Sequence, residues 1–171
     1  MNKLAIALAA TSILALGACK KEPPEELPPP PQGAEITTPT PSPAAPEGPA
    51  PGTQAHFAQQ MAGRDTIYFD TDMFNVDAED QAALAQQAAY LRQYPNVRAT
   101  IEGHADERGT REYNLALGER RANSAKNYLA ARGVPAGRMT VVSWGKERPE
   151  ALGSDESAWA QNRRAVTVIP Q

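Results

Sequence analysis

Prolines divide this chain before any fold is considered. Twelve of its sixteen lie between Lys20 and Thr53, beside five glutamates and only two large aliphatic residues, Leu27 and Ile36. A stretch of that make-up cannot bury enough apolar surface to offset the entropy of ordering it. Its proline density favours extended polyproline II backbone at about 3.1 Å per residue, so about thirty-five residues reach roughly 100 Å. No repeated recognition core stands out in the run, which favours a spacer over a docking ligand for an aromatic groove. The expected division is residues 1–18 as a targeting segment, 19–60 as linker and 61–171 as a single folded domain.

The residues before the linker are a processing signal rather than structure. Asn2 and Lys3 make a short cationic start, and Leu4 to Leu16 is an apolar run too short to span a bilayer comfortably. It closes on Leu16-Gly17-Ala18-Cys19, which resembles a bacterial lipobox. That resemblance implies that Cys19 begins the mature chain and carries three acyl chains, which exceeds the two signals that stable anchoring takes. In the enterobacterial sorting rule an aspartate after the cysteine would retain the protein in the inner membrane, so Lys20 is consistent with the outer membrane. The alternative is an ordinary secretory signal with an incidental cysteine. As the chain's one cysteine, Cys19 leaves no internal disulfide framework.

Between Arg64 and Gln171 there are fourteen Lys and Arg against fifteen Asp and Glu, a net of −1. A nucleic-acid surface needs a basic excess on one face, so no nucleic-acid partner is expected. Asp65 to Asp70 reads as a strand with Ile67 and Phe69 on one side. Asp77, with Asp80 three residues on, starts a helix that carries Leu84, Ala88 and Leu91 on one face and stops before Pro95. Val97 to Glu102 alternates as a second strand. A second helix runs from about Arg111 to Arg132 with Leu117, Ser124 or Ala125, Tyr128 and Leu129 inward, ended by Gly133 and Pro135. Met139 to Trp144 is a third strand, Ser154 to Asn162 a short helix, and Arg163 to Ile169 a last strand. The class is α+β, an α/β sandwich in which β-α-β-α-β-(α)-β places the helices on one mixed sheet. The order of the last strands is open, and Tyr68, Tyr128, Trp144 and Trp159 read as core aromatics.

Chemistry concentrates between Ile101 and Ala122, where a polar loop shaped by Gly103 and Gly109 joins a strand to a helix. His104, Asp106 and Glu107 offer nitrogen and oxygen ligands, but the one other histidine, His56, stands at the linker's edge. Catalytic zinc takes three protein ligands, so no metal and no cofactor is expected. A hydrolase using the same three residues as acid, base and shuttle lacks an identifiable nucleophile, since no G-x-S-x-G elbow is present. Arg108, Glu112, Glu119 and Arg120 read as solvated surface charges. Two readings of the loop as a whole remain: a solvated loop whose charges pair with one another, and a pocket for a zwitterion. Arg121 shares a helical face with Asn114 and Leu117, and a carboxylate and a guanidinium beside a helix N-terminus grip an ammonium and a carboxylate together.

Glu102-Gly103-His104-Ala105-Asp106-Glu107-Arg108-Gly109-Thr110, Tyr113-Asn114, Leu117 and Gly118-Glu119-Arg120-Arg121-Ala122 closely resemble the OmpA-like domain family, and within it the peptidoglycan-associated lipoproteins. Tyr68-Phe69-Asp70 with Asp72, Val142 to Glu147 with Pro149, and Asn162-Arg163-Arg164-Ala165-Val166 extend the match. The resemblance covers Arg64 to Ile169. It implies a non-enzymatic domain that binds peptidoglycan through the diaminopimelate of the stem peptide. Asp106 is expected on the diaminopimelate ammonium and Arg121 on its carboxylate, with Asp72, Phe69, Asn114 and Leu117 lining the pocket. Thr71, Met73 and Phe74 depart from the family's usual aliphatic, lysine and tyrosine in the first loop. The resemblance further implies an outer-membrane tether working with the Tol system, whose periplasmic propeller protein TolB is the expected partner, in support of envelope integrity and cell division.

Overall fold

Three side-chain caps set where the main helices begin. Asp77 accepts from the Asp80 amide at 2.8 Å, Thr110 from Tyr113 at 3.2 Å and Asp155 from Ala158 at 3.0 Å, each satisfying an amide that the first turn leaves free. The computed structural model describes residues 48–170. Its elements are α1 (Gln54–Met61), β1 (Thr66–Tyr68), α2 (Ala78–Gln93), β2 (Ala99–His104), α3 (Arg111–Ala131), β3 (Met139–Gly145), α4 (Glu156–Asn162) and β4 (Arg164–Val168).

The four strands form one sheet in the order β1-β4-β2-β3. Parallel pairing joins β2 and β3, with Ala99 opposite Met139 and Ile101 opposite Val141, and α3 provides the crossover such a pair requires. The last strand then enters the middle, antiparallel to both β1 and β2. The mixed sheet is therefore as expected, and the open question of strand order is resolved by insertion of β4. Period-two alternation sends Ile67, Ile101, Met139 and Ala165 into one buried cluster with Leu84, Ala88 and Leu91 of α2 and Ala122, Ala125 and Leu129 of α3. Burial of that set is the main stabilising term, at about 25 cal/mol per Å² of apolar surface.

Contact between α3 and the sheet is set by glycine. A Cβ on Gly103 would lie 1.8 Å from the Gly118 carbonyl oxygen, and one on Gly118 would lie 2.4 Å from Ser143 Oγ. Helix and strand backbones thus touch directly, and Ser143 Oγ donates to the Leu115 carbonyl at 2.7 Å across the same seam. Gly103 belongs to β2 rather than to the loop it was expected to shape. It is the absence of a side chain there, not a turn, that matters.

Four other expectations shift. The packed domain begins before residue 61, because α1 places Phe57 and Met61 in the main core. His56 Nδ1 lies 2.8 Å from the Tyr90 hydroxyl, and Gln54 Oε1 accepts from the Ile169 amide at 2.7 Å, fastening α1 to α2 and to the chain's end. The two end strands are shorter than expected, although Phe69 N still donates to the Arg163 carbonyl at 2.9 Å. Tyr128 packs against the core, but Tyr68 is 50 % exposed because it points to the face away from the helices. Trp159 and Trp144 lie beneath guanidiniums, Arg108 at 4.2 Å and Arg148 at 3.4 Å from the ring centres, rather than in the core.

Candidate functional site

A cavity of about 270 Å³ opens where the loop after β2 meets the first turns of α3. Gly109, at φ +81°, turns the chain into the helix, a conformation that glycine adopts without Cβ strain. Asn114 Nδ2 donates to the Arg108 carbonyl at 2.7 Å and Lys146 Nζ to the Gly109 carbonyl at 2.7 Å, while the Ala105 amide donates to the Gly145 carbonyl at 2.8 Å, so both ends of the loop are tied. Of the residues expected at the site, Asp72, Asp106, Asn114, Leu117 and Arg121 all line this cavity, with Thr71, Ala105, Arg108 and Tyr113 completing the wall. Phe69 does not line it. It is buried behind Arg121, whose guanidinium carbon lies 5.2 Å from its ring centre, and it borders a neighbouring depression with Asp70 and Met73.

Arg121 is fully buried. Its Nε donates to the Met73 carbonyl at 2.9 Å, Nη1 to that of His104 at 2.9 Å and Nη2 to that of Asp70 at 3.0 Å. One side chain thus joins the β1–α2 loop to the end of β2, about three turns into a helix seated by Gly118. Burial lowers its pKa to about 10, with the charge of Arg163 adding to the effect, so it stays cationic at neutral pH. Two of its five N–H groups are left without a backbone partner. Asp72 sits at φ +57°, unusual outside glycine though tolerated by aspartate, and accepts from the Tyr113 hydroxyl at 3.0 Å.

Asp106 is held by two guanidiniums. Arg108 donates from its amide and Nε to Oδ1, both at 3.1 Å, and from Nη2 to Oδ2 at 2.7 Å. Arg163 Nη1 stands 3.6 Å from the same Oδ2. Burial alone would raise the carboxyl's pKa, but the Arg108 hydrogen bonds and both positive charges outweigh it and hold Asp106 below its ordinary value. Arg108 was expected to be a solvated surface charge and instead forms a wall of the cavity. It was missed because a side chain that folds back on the residue two before it leaves no periodic signal. Arg163 stands in the Asn162-Arg163-Arg164 motif that carried the resemblance, which was the available signal for it.

His104, Asp106 and Glu107 do not converge. His104 is buried at the end of β2, and desolvation together with the Arg164 and Arg148 charges lowers its pKa to about 4. Glu107 turns the other way, accepting from Trp159 Nε1 at 3.1 Å and bordering a separate cavity with Lys146 and Pro149. Among the described residues no group of three His, Cys, Asp or Glu side chains could hold a metal ion, and no helix is long and apolar enough to cross a membrane.

With this geometry in hand, three kinds of comparison agree. The model of the OmpA family matches residues 68–163. The peptidoglycan-associated lipoprotein of Rhizobium meliloti is 48 % identical over 168 residues, covering 98 % of this chain and 88 % of that one. The crystal structure of the peptidoglycan-associated lipoprotein from Burkholderia pseudomallei superposes with a TM-score of 0.60 at 50 % identity, over 61 % of this chain and 89 % of that one. The cell wall anchor of the type VI secretion system from Pseudomonas aeruginosa superposes with a TM-score of 0.57 at 25 % identity, over 71 % of this chain and all of that one.

Proposed function

The chain belongs to the OmpA family, and from that premise we propose that it is a lipid-anchored tether between the outer membrane and peptidoglycan. Cys19, outside the described residues, carries the lipid after removal of residues 1–18, and the proline-rich linker spans toward the wall. The folded domain grips the stem peptide's diaminopimelate in the cavity beside α3. The observation that carries this reading is the meeting of Asp106 and Arg121 in one cavity with Asp72, Asn114 and Leu117. A zwitterion has its ammonium near Asp106 and its carboxylate on the Arg121 N–H groups left free by the backbone. The names of the relatives support the wall as the partner. TolB as a second partner, and a part in envelope integrity and cell division, follow from the same family reading.

Pelleting with purified sacculi tests the tether against the alternative of a periplasmic wall hydrolase. The protein is expected in the pellet with no soluble fragments released; solubilised muropeptides would overturn the reading. Asp106→Ala is expected to leave the domain folded and in the supernatant. Loss of one partner of a desolvated charged contact weakens binding by about 2–5 kcal/mol. Wild-type pelleting by that variant would show that the cavity is not the site.

A further inference from the structure

The carboxylate assigned to a ligand ammonium already holds cations. Arg108 engages both oxygens of Asp106 side-on, at 3.1 and 2.7 Å, and its Nη2 also reaches Thr71 Oγ1 at 3.3 Å, so its guanidinium lies across the cavity wall rather than behind it. The two arginines on Asp106 differ in how they are held. Arg163 is 7 % exposed, with Nε on the Phe69 carbonyl at 2.9 Å and Nη2 on Glu156 at 2.8 Å, and its Nη1 is buried with Asp106 as its nearest carboxylate. Arg108 is 38 % exposed and is supported by the face of Trp159 and by Asp106 itself. Removing Arg163 would strand the buried Phe69 carbonyl and the Asp106 carboxylate, whereas Arg108 can rotate into water at small cost.

We propose that Arg108 is an internal stand-in for the ligand's cation, occupying the Asp106 carboxylate in the empty site and displaced when an ammonium enters. Arg163 remains as the fixed partner that keeps Asp106 ionised during the exchange. While Arg108 is seated, two positive charges face one carboxylate, and Asp106 offers no net attraction to a lone cation. A ligand that brings a carboxylate for Arg121 beside its ammonium makes two contacts while breaking one. The displaced side chain therefore selects for zwitterions over simple amines. The inference rests on the wall-binding reading above.

Titration calorimetry on the full-length chain in detergent tests it with two tripeptides. One is L-alanyl-γ-D-glutamyl-meso-diaminopimelate, and the other carries 2-aminopimelate, which lacks the distal amine. Arg108→Gln is expected to lower Kd for the diaminopimelate peptide about twofold to fivefold, the range of a partly exposed ion pair, and to leave the analogue unchanged. Arg108→Lys, which keeps the charge but not the fork, is expected to gain less. An unchanged or raised Kd in Arg108→Gln, or an equal gain with both peptides, would overturn displacement while leaving the site assignment standing. Failure of the wild type and both variants to bind either peptide would sink the site assignment and this inference with it.

Discussion

Because one guanidinium satisfies the carbonyls of Asp70, Met73 and His104, replacing Arg121 removes a fastening as well as the proposed ligand contact. Leaving buried acceptors unpaired is costly, so Arg121→Ala is expected to destabilise the domain by on the order of 3–5 kcal/mol, read as a lowered urea midpoint. Asp106→Ala, whose carboxylate is contacted by mobile Arg108 and already fixed Arg163, is expected to stay within about 2 kcal/mol of wild type. The two substitutions look equivalent from sequence spacing and separate only when backbone acceptors are seen. Two further buried groups give the domain its acid profile. Burial raises the pKa of Asp80 to about 6, with the Asp77 and Glu79 charges adding to the effect against a hydrogen bond from the Tyr68 amide. Its folded pKa exceeds the ordinary 3.8, so its contribution is full below about pH 4 and is lost as pH rises through about 6. His104 runs oppositely: its folded pKa is depressed to about 4, so stability falls as pH drops from 6.5 toward 4. Asp80→Asn is expected to raise stability at pH 7 by about 1–3 kcal/mol, with the gain vanishing below pH 4, and to expose the His104 decline between pH 6.5 and 4. Denaturation midpoints measured across pH check both signs; a gain independent of pH would contradict the account.

At the level of elements, α3 crosses β2 with no side chain between them where Gly118 meets Gly103. Gly118→Ala adds helix propensity worth about 1 kcal/mol yet places a methyl 2.4 Å from Ser143 Oγ and 2.8 Å from the Gly103 carbonyl oxygen. The expected net result is destabilisation by a few kcal/mol, measured by thermal or urea melting, with the cavity loosened because Arg121 rides one turn further along. A stabilised Gly118→Ala would show that the seam tolerates a gap. How well each element could be read from sequence follows from how local its causes are. The Asp77 cap and the Leu84, Ala88 and Leu91 stripe lie within one helix, and they announced α2 correctly. Placement of β4 between β1 and β2 depends on pairing across the whole domain, which no local pattern carries. Helix α1 escaped notice because it follows the proline run directly and offers two core anchors, Phe57 and Met61, among polar neighbours. A chain shortened to begin at Arg64 is accordingly expected to lose several kcal/mol, since Phe57 alone is worth about 3–5 kcal/mol in a core. Asp106, Asn114, Leu117 and Arg121 could be named from sequence because their motif is compact. The different exposure of Arg108 and Arg163 on Asp106 could not, because it depends on distant parts of the fold.

For the whole molecule, the tether reading separates anchor from grip, and each can be removed alone. Cys19→Ser is expected to release the protein from outer-membrane fractions when combined with Asp106→Ala, so that wall binding cannot carry it there. Recovery of the double variant with outer membranes would exclude lipid on Cys19 as the anchor. Between anchor and grip, load enters the folded domain at Thr53, where the helix cap ends the proline-rich stretch and α1 begins. That helix is held by two side chains in the core, the His56–Tyr90 contact and the Gln54–Ile169 bond, while the cavity is held by α3 and the sheet. Under pulling on the linker, α1 is expected to unfold at lower force than α3 and the sheet, which single-molecule stretching of the domain would measure. Its eight residues, lengthening from about 1.5 to about 3.4 Å each, add roughly 15 Å of slack while the cavity stays intact. On the tether reading, that helix is a mechanical fuse, expected to give way under strain before the grip does.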